Sequence, residues 1–356
     1  MTISNENCLS LANRIGRVRP LDEQAMQMAD SHLANLTKPP GSLGKLESIA
    51  RQVAGITGVI QPDLSKKAII VMAADHGVCE EGISAFPAEV TPQMVMNFLS
   101  GGAAVNVLAR QAGADVCCVD IGVNAELDHP DLYKRKLMHG TNNMAKGPAM
   151  DHATTVRAML VGIELVEELY SKGYRLFATG EMGIGNTTAS SAVMTVLTGC
   201  PLENTVGRGT GINDERLAHK IGVIRRAIET NNPNPEDPFE VVAKVGGLEI
   251  AGLAGVIIGA AAKRCPVVID GFISSAAALV AAKLSPDSVS YMIGSHLSEE
   301  FAHGQLLKEI GLSPVIHMEM RLGEGTGAAL CLHLVEAAQR IMKEMATFDS
   351  AGVSRS

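Results

Sequence analysis

The chain of 356 residues has no tryptophan, no dense run of Lys or Arg, and no uninterrupted apolar stretch approaching the span of a bilayer. Without a basic run, and with a formal net charge of −8, the sequence argues against tracking a nucleic-acid backbone or binding an anionic membrane. Any phosphate site must therefore be local. The first residues show no basic segment followed by an apolar one, so the expectation is a cytoplasmic protein with no membrane contact. Seven cysteines, at 8, 79, 117, 118, 200, 265 and 331, form no C-x-x-C pair and no zinc-like alternation with histidine. They read as reduced, mostly buried small residues, and no metal site is expected. The G-x-x-x-x-G-K-[ST] fingerprint and a G-x-G-x-x-G after the first strand are both missing, which weakens ATPase and dehydrogenase readings. There is also no G-x-S-x-G hydrolase elbow.

What is present describes a globular protein with ample core: 46% hydrophobic residues, 19% charged and 36 glycines. Six short apolar runs stand out, at Ala68–Ala74, Val116–Ile121, Leu176–Thr179, Val267–Ile269, Tyr291–Ile293 and Val315–Met318. Most are separated by helix-like stretches, and their lack of polar alternation is the pattern of strands covered on both faces. The expected class is α/β, with a Rossmann-like, mostly parallel sheet flanked by helices. Leu21–Leu36 and Gly327–Met345 have helical spacing without strand neighbours. They predict a small helical domain from residues 1–60 together with 328–356, beside a large α/β domain over 61–327.

Ligands of open parallel sheets bind beyond the carboxyl ends of the strands. The residues after the six runs are Asp75-His76-Gly77, Asp120-Ile121-Gly122, Gly180 to Thr188, Asp270-Gly271, Gly294-Ser295-His296, and the turn carrying Glu324. Six such motifs in phase predict one shared rim, although any one alone suits a capped strand-to-helix turn. Glu324 lies between Gly323 and Gly325, ahead of an alanine-rich helical run. The glycines leave room for Glu324 to face a ligand, or for it to cap the following helix. Glu181 sits in the other glycine-rich turn, and the two carboxylates are the candidates for a general base. For Asp75, Asp120 and Asp270 a loop-fixing or capping role is the plainer reading. Gly183-Ile184-Gly185-Asn186-Thr187-Thr188 leads into a predicted helix whose first amides attract anions. The Gly207-Arg208-Gly209-Thr210-Gly211 loop has alternating glycines, and Lys220 on the helix after it is either a compensating charge or part of a solvated face.

Six motifs occur in order: Lys38 to Gly44, Ala74 to Gly77, Gly180 to Thr188, Lys244 to Gly247, Asp270 to Phe272, and Arg321 to Gly325. On these the chain closely resembles the nicotinate-nucleotide–dimethylbenzimidazole phosphoribosyltransferases, over nearly its whole length. The resemblance implies transfer of the phosphoribosyl group of nicotinate mononucleotide to an aromatic base, for the lower ligand of a cobamide, with no cofactor. It implies Glu324 as general base and Glu181 as the second carboxylate near the reacting centre. Gly183, Gly185, Asn186, Thr187, Gly207, Gly209, Lys220 and Ser295 would hold phosphate and ribose. Phe86 and Met94 stand where the best-known members carry a serine and a glutamine facing the base, Met182 replaces a leucine, and Leu322 completes that wall. Such a pocket suits a phenol or p-cresol as well as dimethylbenzimidazole. The resemblance also implies a dimer, either of identical chains or with a homologous subunit. Two further readings are a non-catalytic subunit supporting an active partner and a nucleotide-dependent oxidoreductase.

Overall fold

The computed structural model describes residues 3–208, 211 and 213–354. Its strands are β1 (Lys67–Ala74), β2 (Ala114–Gly122), β3 (Tyr133–Lys134), β4 (Leu176–Met182), β5 (Val267–Ile269), β6 (Met292–Gly294), β7 (His296–Leu297) and β8 (Ile316–His317). The earlier helices are α1 (Ile3–Ile15), α2 (Glu23–Asn35), α3 (Lys45–Thr57), α4 (Val90–Leu99), α5 (Ala104–Ala112), α6 (His152–Ser171), α7 (Asn186–Thr198) and α8 (Leu202–Thr205). The later ones are α9 (Asp214–Asn231), α10 (Pro238–Val245), α11 (Leu248–Ala262), α12 (Phe272–Leu284), α13 (His303–Ile310), α14 (Thr326–Glu344) and α15 (Phe348–Ala351).

Among the described residues the first six strands form one parallel sheet in the order β3-β2-β1-β4-β5-β6. All eight residues of β1 are buried, as expected for a central strand covered on both faces. Its side chains divide by alternation. Ile70, Met72 and Ala74 join the layer built from α6, α7, α11 and α12. Ile69, Val71 and Ala73 join the layer built from α2, α3, α5 and α14. The period of two thus sends successive residues to opposite cores, and α2 and α14, from near the two ends of the chain, share the second core with β1.

The chain leaves β1 for β2 and β3 on one side, then returns to β4, β5 and β6 on the other. The order therefore reverses between β1 and β4, where open parallel sheets form a crevice beyond their carboxyl ends. Five of the six apolar runs lie in this sheet, and the α/β class and its parallel arrangement hold. The sixth does not belong to it: within Val315–Met318 only Ile316–His317 is a strand, paired with β7 in a separate two-stranded sheet. The Val315 N–H donates to the carbonyls of Gly294 and Ser295. That places the segment on the continuation of β6 past the edge of the main sheet, with Met318 left exposed. Two short strands, β3 and β7, have too few residues to show a hydropathy pattern.

Candidate active site

The segment after β1, the carboxyl end of β4, the residues after β5 and the turn before α14 surround a cleft of about 450 Å³, a size suited to a small aromatic ligand. Glu181, Met182, Gly183, Asn186 and Thr187 line it from the β4 side, Phe86 and Met94 from the segment after β1, and Leu322 and Glu324 from the turn before α14. Sequence-predicted residues for both chemistry and base binding therefore share one space.

The turn before α14 explains how Glu324 is presented. Gly323, Glu324 and Gly325 have φ of 86°, 63° and 97° in succession. The outer two positions favour glycine, while the left-handed conformation of Glu324 costs on the order of 1 kcal/mol or more. Gly180 lets this turn close on β4, since a Cβ there would lie 2.4 Å from the Glu324 carbonyl oxygen. Glu324 is buried and its Oε2 has no hydrogen-bond partner among the described residues. Burial raises its pKa, opposed by the Val105 N–H and reinforced by the charge of Asp270.

Glu181 is fixed differently. Its Oε1 accepts the Glu324 N–H at 3.3 Å, and its Oε2 accepts from the Asn186 amide. Burial, then the charge of Asp270, pushes its pKa up to about 8. At neutral pH Glu181 therefore holds a proton for much of the time, and Glu324 is the carboxylate that lines the cleft with one oxygen left without a partner among the described residues.

Next to this cleft and sharing Gly183, Ile184, Asn186 and Thr187 with it, a small pocket is completed by Gly185, Arg208 and Lys220. Gly185 takes φ 94° at the N-cap of α7, which sets the start of that helix, Asn186 and Thr187, against the pocket. Lys220 belongs to no solvated face. It is 2% exposed, and its Nζ donates to Thr187 Oγ1 at 2.9 Å. Burial, opposed by Glu300, lowers its pKa to about 8. A buried ammonium beside a helix N-terminus is suited to a phosphate, whose charge would offset the cost of burying it.

The loop-fixing reading of the aspartates holds for two of them. Asp75 Oδ2 accepts the Asn124 N–H at 2.8 Å, and Asp120 Oδ1 accepts the Val123 N–H at 2.9 Å. Asp270 accepts from Gly325 at 3.1 Å and Ala328 at 2.9 Å, capping α14 from another strand. His76 lies beneath the Gly183–Gly185 turn and is hydrogen-bonded to Glu249 at 2.8 Å. Burial disfavours its charge, but Glu249 more than offsets this and raises its pKa. Gly207 borders a neighbouring groove and accepts weakly from Lys220 at 3.5 Å. Gly209 lies outside the described residues.

Ser295, expected with the phosphate residues, is fully buried and borders neither the cleft nor the small pocket. Its hydroxyl is engaged by the Asp270 carbonyl and by His296 Nδ1 at 3.0 Å. The cleft is also lined by Val90, Phe272, Ile273, Ser298, Glu300 and Arg321, which the sequence reading did not single out. Arg321 had a visible signal, standing inside the motif that ends at Gly325. Phe272 had one too, as the last residue of the motif that begins at Asp270, while Ile273 had none, because an apolar residue at a helix start reads as core.

A family model described as phosphoribosyltransferase matches residues 18–353. The chain is 56% identical to the nicotinate-nucleotide–dimethylbenzimidazole phosphoribosyltransferase of Chloroflexus aggregans, over 97% of this chain and 98% of that protein. It is 54% identical to the protein of the same name from Halalkalibacterium halodurans, over 96% and 95%. Among solved structures, the nicotinate-nucleotide–dimethylbenzimidazole phosphoribosyltransferase of Thermus thermophilus superimposes with a TM-score of 0.89 at 44% identity, covering 94% of this chain and all of that one.

Proposed function

The chain belongs to the nicotinate-nucleotide–dimethylbenzimidazole phosphoribosyltransferase family and is a phosphoribosyltransferase, and from that premise we propose that it moves the phosphoribosyl group of nicotinate mononucleotide onto an aromatic base to build a cobamide lower ligand. The observation that carries this reading is one juxtaposition. An anion pocket with a buried lysine shares Gly183, Asn186 and Thr187 with an apolar-walled cleft, and that cleft is lined by Glu324, whose carboxylate keeps one buried oxygen without a partner among the described residues.

In this reading the phosphate of the donor sits at the start of α7 against Asn186, Thr187 and Lys220, which fixes the ribose in front of Glu324. The acceptor lies against Phe86, Met94, Met182 and Leu322. Its ring nitrogen bonds to the anomeric carbon from the face opposite the leaving group, and the glycosidic C–N bond breaks. The electron pair returns to the pyridinium nitrogen, so nicotinate departs without needing a proton. The acceptor's N–H proton passes to Glu324. A positioned base is worth about 10²–10⁴-fold, and alignment of base, anomeric carbon and leaving group supplies further acceleration.

A second acceptor class, phenol or p-cresol, is favoured by the cleft wall: an aromatic ring and thioethers contact a plain ring without requiring a ring nitrogen. Glu324 would then take the O–H proton and the product would be an O-glycoside. The test is release of nicotinate from nicotinate mononucleotide with dimethylbenzimidazole or phenol as acceptor. Turnover with dimethylbenzimidazole is the expected result, and turnover with phenol as well would assign the apolar wall to acceptor range. Turnover with neither, by the chain alone or with a homologous subunit, would overturn the proposal.

A further inference from the structure

The general base stands on a turn that has no cap of its own. The N-cap of α14 is Gly325, chosen for a φ of 97° and lacking any side chain to accept the first amides of the helix. Those amides point instead at Asp270, directly after β5. Its Oδ2 accepts the Gly325 N–H at 3.1 Å and its Oδ1 accepts the Ala328 N–H at 2.9 Å. Asp270 is itself held in place: its N–H donates to Thr179 Oγ1 at 3.1 Å, and Ser295 Oγ approaches its carbonyl at 3.4 Å. It is 1% exposed. Capping alone would be met by a neutral Ser or Asn, so a fully buried carboxylate is more than the helix requires.

Resting on the reading of Glu324 as the base, we infer that Asp270 is its positioning residue: it ties the Gly323–Gly325 turn to the first turn of α14 by accepting the Gly325 and Ala328 N–H groups, and it sets a carboxyl group behind the base. Two features of the surroundings support a role aimed at Glu324. The charge of Asp270 raises the proton affinity of both Glu324 and Glu181, which is the direction a proton acceptor needs. The turn has no slack, because a Cβ on Gly325 would sit 2.8 Å from Ile69 Cγ2 and one on Gly327 would overlap the His296 ring. A small displacement of Asp270 therefore passes to Glu324, and misplacement by about 1 Å costs on the order of 10²-fold in rate.

The test is Asp270→Asn in the full chain, assayed for nicotinate release with kcat and KM separated, beside Glu324→Gln. Asn keeps the shape and one acceptor oxygen but removes the charge. The expected result is a kcat lower by about 10- to 100-fold with KM for nicotinate mononucleotide within about twofold. The acidic limb of the kcat profile should also move to lower pH, because Glu324 loses one neighbouring negative charge. Of the other ionisable groups facing this turn, Glu249 remains, while Glu181 and His296 also lose the neighbouring Asp270 carboxylate, so the limb is assigned to Glu324 by its absence in Glu324→Gln. A lowered Tm with unaltered kcat and pH limb would reduce Asp270 to a helix cap and overturn the inference. Thr179→Val, which removes the acceptor for the Asp270 N–H while leaving the carboxylate, should lower kcat in the same direction, and an unchanged kcat there also counts against it. If Glu324→Gln turns over normally, the reading of the base fails instead.

Discussion

At the residue scale, two buried charged groups, Glu324 and Lys220, sit in environments unlike those of ordinary surface residues. Lys220 was ambiguous in the sequence, because a lysine on a helix after a glycine-rich loop is usually solvated. Tertiary packing decided it, through 2% exposure and contact with Thr187. Lys220→Met is expected to raise KM for nicotinate mononucleotide by about 10- to 100-fold, the worth of a charge-assisted phosphate contact, with a smaller effect on kcat. If Lys220 holds the donor phosphate as proposed, that contact weakens as pH passes about 8, because the pKa of Lys220 is lowered to that value and the cation is present below it. KM should therefore rise on the alkaline side, and a KM flat to pH 10 would contradict the assignment. The converse failure is Ser295, whose place in a strand-end motif suggested the cleft. A hydroxyl's partners depend on folds of the chain that spacing does not encode.

At the level of elements, the main contact is between β4 and the turn before α14. Five strand positions and both glycine-rich turns were legible, because buried parallel strands and helix starts leave hydropathy and glycine signals. The approach of the two turns to each other was not, since it rests on the absence of a single Cβ. Gly180→Ala places a methyl 2.4 Å from the Glu324 carbonyl oxygen, which is backbone and cannot swing aside. The expected outcome is a destabilisation of about 1–3 kcal/mol from overpacking and a kcat loss larger than any change in KM. Thermal denaturation and steady-state kinetics on one preparation check both. Val315–Met318 was read as a further strand of the main sheet, but its Ile316–His317 pair lies past the end of β6, against β7 in a separate two-stranded sheet.

For the whole molecule, the order reversal between β1 and β4 places the carboxyl ends of both strands at one crevice, and the helices near the two ends of the chain brace the sheet face behind it. Leu332 of α14 is fully buried in the same core as Ile69, Val71 and Ala73 of β1. Leu332→Ala is expected to cost about 2–5 kcal/mol and to shift a single unfolding transition as a unit. Two separated transitions, with only one of them moved, would show that the terminal helices unfold apart from the sheet. The α/β class could be read from the sequence, because it depends on repeated local patterns; helical spacing at both ends also predicted that the terminal segments pack together, but not that they share one core with β1.

The measurement that bears most directly on the central claim is nicotinate release from nicotinate mononucleotide with dimethylbenzimidazole as acceptor, comparing the parent chain with Glu324→Gln. The account predicts turnover to an α-ribosyl phosphate by the parent and a kcat lower by about 10²–10⁴-fold in the variant, with KM for nicotinate mononucleotide little changed because its phosphate is held by Lys220 and the start of α7. Equal kcat in the two proteins would contradict it.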